Sequence, residues 1–375
     1  MAMIAGRPEH AHDECLCCGV PLAQMTPHDF IKRPALWLRT LSNIQATVTW
    51  SPNFGFAVCA AAVRDADLEG VRLDEVRAFY NAAERIHQST IQRFHERFAP
   101  FGVGPHALRT NFGCAENVGG ATFSDPHGPY VVECVDADCL EKDRLAVPAP
   151  AGAAGRQGRT AEIVGVGRPA PGLEIEILDD DREPLPPGTV GELAIRTPSR
   201  LLRYLDDEEA TRRAIHDDLL LTGDLGYVRN GEVFWVGRVR ERIVLSGRKF
   251  DPRDFEQAML SVEGLRPGCF VAFGVDDPAR GSQKLVIAAE VRDSLASPAT
   301  EEARGGGETT EDTRDELEHL RQRVHAAVLQ EVGVRIDELM LVPQGSLTKT
   351  SSGKRRHRHC KDLYLRGEFP TPLPR

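Results

Sequence analysis

Residues 141–160 read EKDRLAVPAPAGAAGRQGRT, a run rich in Pro, Gly and Ala without helical or strand periodicity, and the texture of the chain changes across it. Before it, helix and strand patterns alternate. FIKRPALWLRTLSNIQATVTW reads as a helix running into a strand, with Leu36, Trp37, Leu41 and Ile44 on one helical face and a β-branched end. HQSTIQRFHERFAPFG predicts a second helix, with Ile91, Phe94 and Phe98 at helical spacing and Gly102 beyond its end. Such alternation between residues 30 and 130 predicts an α/β layer. After the run, LEIEILDD, GELAIRT and GEVFWVGR are short alternating strands separated by the turn signals PLPPGTV and RNG, the pattern of a small antiparallel sheet or barrel. From near Gly237 strands and helices mix again. RDELEHLRQRVHAAVLQEVG there predicts a long amphipathic helix, and the polar run SPATEEARGGGETTEDT a loop.

The chain of 375 residues, 41% hydrophobic and 27% charged, can bury a core in two or three domains. With 56 Asp and Glu against 46 Lys and Arg, its net charge of −10 argues against wholesale nucleic-acid binding, which needs a broadly positive surface. No stretch approaches the roughly 20 apolar residues that span a bilayer, and MAMIAGRPEHAHDECLCC lacks the order of a secretory signal. Nine scattered Cys form no disulfide framework, so the expected location is cytoplasmic. His10, His12, Cys15, Cys17 and Cys18 crowd together, yet their spacing matches no standard zinc pattern and no second CxxC pair follows.

Chemistry concentrates in three segments. RTNFGCAENVGG sets Phe112, Gly113 and Glu116 at the end of an expected strand. LLTGDLGYVRNGEVFWVGRVRERIVLSGRKFDPRDFE places Asp224 two residues past Thr222 and Arg238 after a strand. GSLTKTSSGKRRHRHCKDLY carries a Gly353–Lys354 step before a run of Arg and His. Each has a plain structural reading: Phe112 as core, Asp224 as a turn cap, Arg238 in a surface ion pair, the last segment as a solvated basic tail. The last segment is not a Walker loop, because its Gly spacing is wrong and Arg355 stands where Ser or Thr belongs.

In order and composition the three segments together resemble the adenylate-forming ligase superfamily. The middle one is the most specific, with Thr-Gly-Asp, Gly-Arg, Ser-Gly and the Pro252 to Glu256 tail at the family spacing. NFGCAE, with Ala115 where many relatives carry Thr, and GRKFDPRDFE look most like the fatty acyl-AMP ligase branch. MTPHDFIKRPALWLRTLSNIQATVTWSPNFGF is similar to that branch's acyl-pocket region, and NAAERIHQSTIQRF to its adenine-side loop.

The resemblance implies an α/β fold: an atypical segment 1–20, a partial α/β subdomain 21–140 with acyl and adenine sites, a linker 141–160, a small barrel-like β-rich subdomain 161–237, and a mobile α+β C-terminal domain 238–375. It implies ATP-dependent activation of a fatty or other carboxylic acid to acyl-AMP, with ATP and Mg²⁺, and transfer to the phosphopantetheine thiol of an acyl carrier protein or to CoA. Lys354 is the catalytic lysine of the pattern. Ala83, Glu84, Asn111, Phe112, Gly113, Asp224 and Arg238 fall on the nucleotide, and Glu116 on the metal. Arg240 takes the hinge, Gly247 the pantetheine path, and Trp37, Trp50 and Phe54 the acyl pocket. Core packing accounts for the last three equally well.

One part of the pattern is missing. Family members carry, further upstream, a Ser/Thr/Gly-rich loop ending in Pro-Lys that wraps the β- and γ-phosphates, and no such loop occurs in this sequence. A truncated reading frame, half of a split enzyme completed by another polypeptide, and a degenerate relative kept for binding all fit. Acyl-CoA synthetase and a non-catalytic adenylate- or carrier-binding protein stand as the alternative functions.

Overall fold

The computed structural model describes residues 2–4, 22–149, 160–239, 241–245, 248–277, 282–292, 311–349 and 355–373. The chain divides into two compact units, Met1–Val239 and Arg240–Arg375.

Unit 1 opens with strands β1 (Ala2–Ile4) and β2 (Leu22–Gln24), helices α1 (Pro27–Lys32) and α2 (Ala35–Asn43), strand β3 (Val48–Ser51) and helix α3 (Asn53–Ala62). Strand β4 (Ala78–Asn81), helix α4 (Gln88–Phe98), and strands β5 (Leu108–Cys114) and β6 (Gly119–Phe123) follow. β3, β4 and β5 run parallel, as helical crossovers require. β1 lies antiparallel between β3 and β2. The single helix expected over FIKRPALWLRTLSN is two helices. Thr26 caps the first, with Pro27 at its first turn, and Pro34 starts the second afresh. On α2 the buried residues are Trp37, Leu38 and Leu41, whereas Ile44, expected on that face, lies past the helix end and is 41% exposed. On α4 Ile91, Phe94 and Phe98 are all buried, as their spacing predicts. Gly102 follows in the left-handed region at φ 102°, where a Cβ would lie 2.8 Å from the Asp74 amide nitrogen.

Strand β7 (Val132–Asp136), helix α5 (Ala137–Lys142) and strand β8 (Thr160–Val164) come next, and β7 pairs antiparallel with β8. The run expected to be a linker therefore connects two paired strands. Its first part is built into the fold: Ala146 is buried, and Leu145 bridges to Thr189. β9 (Arg168–Pro169) adds the last strand to the first sheet, whose order is β2-β1-β3-β4-β5-β6-β9. A second sheet is built from β10 (Glu174–Leu178), β11 (Gly191–Arg196), β12 (Ile215–His216), β13 (Leu219–Arg229) and β14 (Glu232–Arg238), with helix α6 (Glu208–Ala214) before β12. Its strands are antiparallel throughout, in the order β10-β11-β13-β12 with β14 on β13. This is the small β-rich subdomain that the alternating pattern predicts.

Unit 2 begins with the hairpin of β15 (Ile243–Leu245) and β16 (Arg248–Phe250), then helix α7 (Pro252–Ala258). Its sheet contains β17 (Leu265–Asp277), β18 (Ser282–Val291) and β19 (Glu338–Val342), with β18 antiparallel to β17 and parallel to β19. Residues of these strands alternate between two cores. Phe270, Ala272, Leu285 and Ile287 pack with Leu317, Leu320, Val324 and Val328 of helix α8 (Glu311–Val332). Val271, Phe273, Val286 and Ala288 face Cys360 and Tyr364 of helix α9 (His357–Leu365). α8 starts inside the polar run expected to be a loop. Among the described residues no helix is long and apolar enough to cross a membrane.

Candidate functional site

The strip Asn111-Phe112-Gly113-Cys114 ends β5, and its backbone turns through a 3-10 helix at Ala115–Asn117 into β6. The two strands approach so closely that a Cβ on Gly113 would sit 1.9 Å from the Gly119 carbonyl oxygen. Only glycine fits there. Asn111 donates from its side-chain amide to the Thr122 carbonyl at 2.8 Å, and the Phe112 N–H donates to the Thr122 hydroxyl at 3.2 Å. Phe112 is 7% exposed and belongs to the unit 1 core.

Glu116 sits in the turn, half-buried. The Tyr204 hydroxyl donates to its Oε1 at 2.7 Å, the Leu201 N–H donates to its carbonyl at 2.7 Å, and the Ser199 hydroxyl donates to the side chain of Asn117 at 3.0 Å. The segment 199–204 is thereby laced to the turn and holds the carboxylate in one orientation. Burial and the Glu116 carboxylate push the Tyr204 phenol up to about 12, so it stays a donor. Burial, with the charges of Glu116 and Asp224, pushes the neighbouring Cys114 thiol up to about 12.

Asp224 lies in β13 opposite Arg238 in β14, beside a bulge, and not in the turn that its sequence context allowed. It is 3% exposed. Its Oδ1 accepts the Trp235 indole N–H at 3.0 Å and the Arg238 Nε–H at 3.1 Å. The Thr222 hydroxyl takes up the Asp224 N–H at 3.1 Å and donates to the Leu193 carbonyl at 2.7 Å, so the Thr-Gly-Asp step is fixed to the neighbouring strand. The Arg238 side chain is half exposed.

Just past the end of β4, Ala83 adopts the left-handed region at φ 70°, a conformation that costs a non-glycine residue energy. Glu84 accepts the Phe54 N–H at 2.5 Å and so caps α3, while Asn53 receives the Asn81 side-chain amide at 3.1 Å and the His87 N–H at 3.2 Å. Trp50 stacks on Tyr80 with centroids 4.8 Å apart and planes 17° apart. Trp37 is fully enclosed by Phe30, Phe56, Phe79 and Phe94, with its indole N–H on Thr49 at 3.1 Å, and is a core residue.

The structure thus brings Asn111, Phe112, Gly113 and Glu116 onto one strand end, pairs Asp224 with Arg238, and joins Glu84 to Phe54. Lys354, Arg240 and Gly247 lie outside the described residues, as do His10, His12, Cys15, Cys17 and Cys18. Among the described residues no group of three or more His, Cys, Asp or Glu could hold a metal by itself. Tyr204 and Trp235 escaped the sequence reading. Each joins its carboxylate only through tertiary contact, and nothing in the spacing of RLLRYLDD or GEVFWVGR marks them.

Residues 14–205 match the family described as AMP-binding enzyme. The chain is 29% identical over 372 residues to a putative fatty-acid–CoA ligase of Mycobacterium tuberculosis, covering 94% of this chain and 59% of that protein. It is 29% identical over 367 residues to a medium-chain-fatty-acid–[acyl-carrier-protein] ligase of Moorena producens, covering 94% and 58%. A structure from work on fatty acyl-adenylate ligases of E. coli and L. pneumophila superposes with TM-score 0.77 at 28% identity, covering 91% of this chain and 56% of that one. The chain spans less than two thirds of the length of these relatives.

Proposed function

Because this chain belongs to the AMP-binding enzyme family and has the adenylate-forming ligase fold, we propose that it activates a fatty or related carboxylic acid with ATP to an acyl adenylate and passes the acyl group to a carrier-protein pantetheine thiol. The observation that carries this reading is Asp224: a carboxylate 3% exposed, oriented by Trp235 and Arg238. A fixed acceptor of that kind suits the paired hydroxyls of a ribose.

Phe112 and Gly113 offer an apolar strand edge to a purine, with Ala83 and Glu84 on the adenine side and Arg238 beside the ribose. Glu116 fits Mg²⁺. It is a hard oxygen donor oriented by Tyr204, and its second oxygen carries no hydrogen bond among the described residues. One carboxylate completed by substrate phosphates is how that ion is ordinarily held, and its charge would ease the approach of two anions. The difficulty of the reaction is the build-up of charge at the α-phosphate as a carboxylate attacks, which asks for a placed cation. Lys354 takes that role, with Arg240 as hinge and Gly247 on the path of the pantetheine. Trp50 and Phe54 remain for the acyl chain, and Trp37 supports them from the core.

The test is acyl-adenylate formation by the chain from ATP, Mg²⁺ and a panel of fatty acids, with Lys354→Ala beside it. We expect turnover in the unaltered chain and a loss of about a hundredfold or more in the variant, with nucleotide binding retained. Failure to bind nucleotide would overturn the reading. Nucleotide bound without turnover would point to a phosphate loop supplied by another polypeptide. The named ligases favour CoA as the second acceptor to try, and thioester formation with CoA but with no carrier protein would make the chain an acyl-CoA synthetase.

A further inference from the structure

Arg355 and His357, the residues one and three places after Lys354, converge on a single buried carboxylate, and we propose that Glu256, Arg355 and His357 form a charged latch that positions Lys354. The proposal rests on the role given to Lys354 above. Glu256 is on α7 and 1% exposed. Arg355 Nη1 lies 2.8 Å from its Oε2, and the same guanidinium packs over the Phe270 ring at 5.2 Å. His357, 6% exposed at the start of α9, sets Nε2 2.6 Å from Oε1 and Nδ1 3.9 Å from Glu241. Arg253, held by Glu241 at 2.7 Å and Asp251 at 3.2 Å, adds its charge.

The opposite flank is tied in the same manner. Glu290, 1% exposed on β18, accepts the Leu347 N–H at 2.8 Å and pairs with Arg266 at 2.8 Å. Lys349 and Arg355 then form an antiparallel backbone bridge across the sequence 350–354. Both approaches to Lys354 therefore run through buried carboxylates.

A buried ion cluster is a poor source of net stability, because desolvation consumes most of its Coulombic gain and apolar residues of like volume do as well. Its distinctive property is direction. Lysine is a point charge on a flexible stem, and displacement of a catalytic group by an ångström can cost a hundredfold in rate. Anchoring its immediate neighbour to a fixed carboxylate restricts where that stem begins. Glu256, Arg355 and His357 are thus positioning residues.

Limited trypsin digestion of the full chain tests this without requiring turnover. In Glu256→Gln and His357→Ala, cleavage after Lys354 or Arg355 should accelerate about tenfold, since proteolysis follows the open population. His357→Gln, whose amide can reproduce the Nε2 donor, should recover most of the protection. In the adenylation assay the first two variants should lose kcat by about a hundredfold with KM for ATP unchanged. Unchanged cleavage and unchanged kcat in folded His357→Ala would overturn the latch. If Glu256→Gln fails to fold, the His357 pair decides alone. If the unaltered chain binds no nucleotide the proposed function fails, and if it binds nucleotide without making adenylate only autonomous turnover fails; in both cases the digestion still judges the latch.

Discussion

Replacing Asp224 with Ala removes one acceptor from two donors, the Trp235 indole and the Arg238 guanidinium. Loss of this buried acceptor for the indole N–H should lower stability by about 1–3 kcal/mol, while the half-exposed Arg238 contributes little of this. If Asp224 holds a ribose, calorimetry should show nucleotide affinity falling at least about tenfold in this variant and less in Asp224→Asn, which keeps an acceptor. Equal affinity in all three proteins would remove Asp224 from the site. Cys114 supplies a second check. Its thiol, pushed up to about 12, should be alkylated at pH 8 far more slowly than the exposed Cys134, as mass spectrometry of the digested protein would show. Legibility at this scale was uneven. The type and order of Phe112, Gly113, Glu116 and Asp224 were readable because their motifs are contiguous. The capping of α3 by Glu84 was not, since it joins residues thirty positions apart.

Among the elements, the β5–β6 pair tolerates least. Gly113→Ala would drive a Cβ into the Gly119 carbonyl, so the strands must part or the bulge between Phe112 and Gly113 must move. The expected cost is about 3 kcal/mol or more, and a urea melt that matched the unaltered protein would contradict it. Helix α4 was readable from Ile91, Phe94 and Phe98, because one amphipathic face meets one core. β10, β11 and β14 were readable from alternation. The break at Pro34 was visible in the sequence yet outweighed by apolar spacing on both sides of it. The pairing of β7 with β8 was hidden, since composition reports how loose a connection is and says nothing of which strands meet at its ends.

For the whole molecule, separate cores in the two units predict separate responses. Glu256 makes the difference measurable. Burial alone would raise its carboxyl, but Arg355, His357 and Arg253 bring it from 4.5 to about 2. A carboxyl lower in the folded than in the unfolded state stabilises fully above the unfolded value, and that stability is lost as pH falls toward the folded one. Unit 2 should therefore lose roughly 3 kcal/mol between about pH 4.5 and 2, a loss that Glu256→Gln abolishes. Calorimetry in acid should show one of two unfolding transitions moving. A single transition shifting as a whole would count against it. The protein has three tryptophans, and Trp37, Trp50 and Trp235 all belong to unit 1. Intrinsic indole emission is therefore blind to the unit that carries Lys354. A fluorescence melt follows one half of the molecule, and a single Trp placed in unit 2 would give the other half a signal of its own.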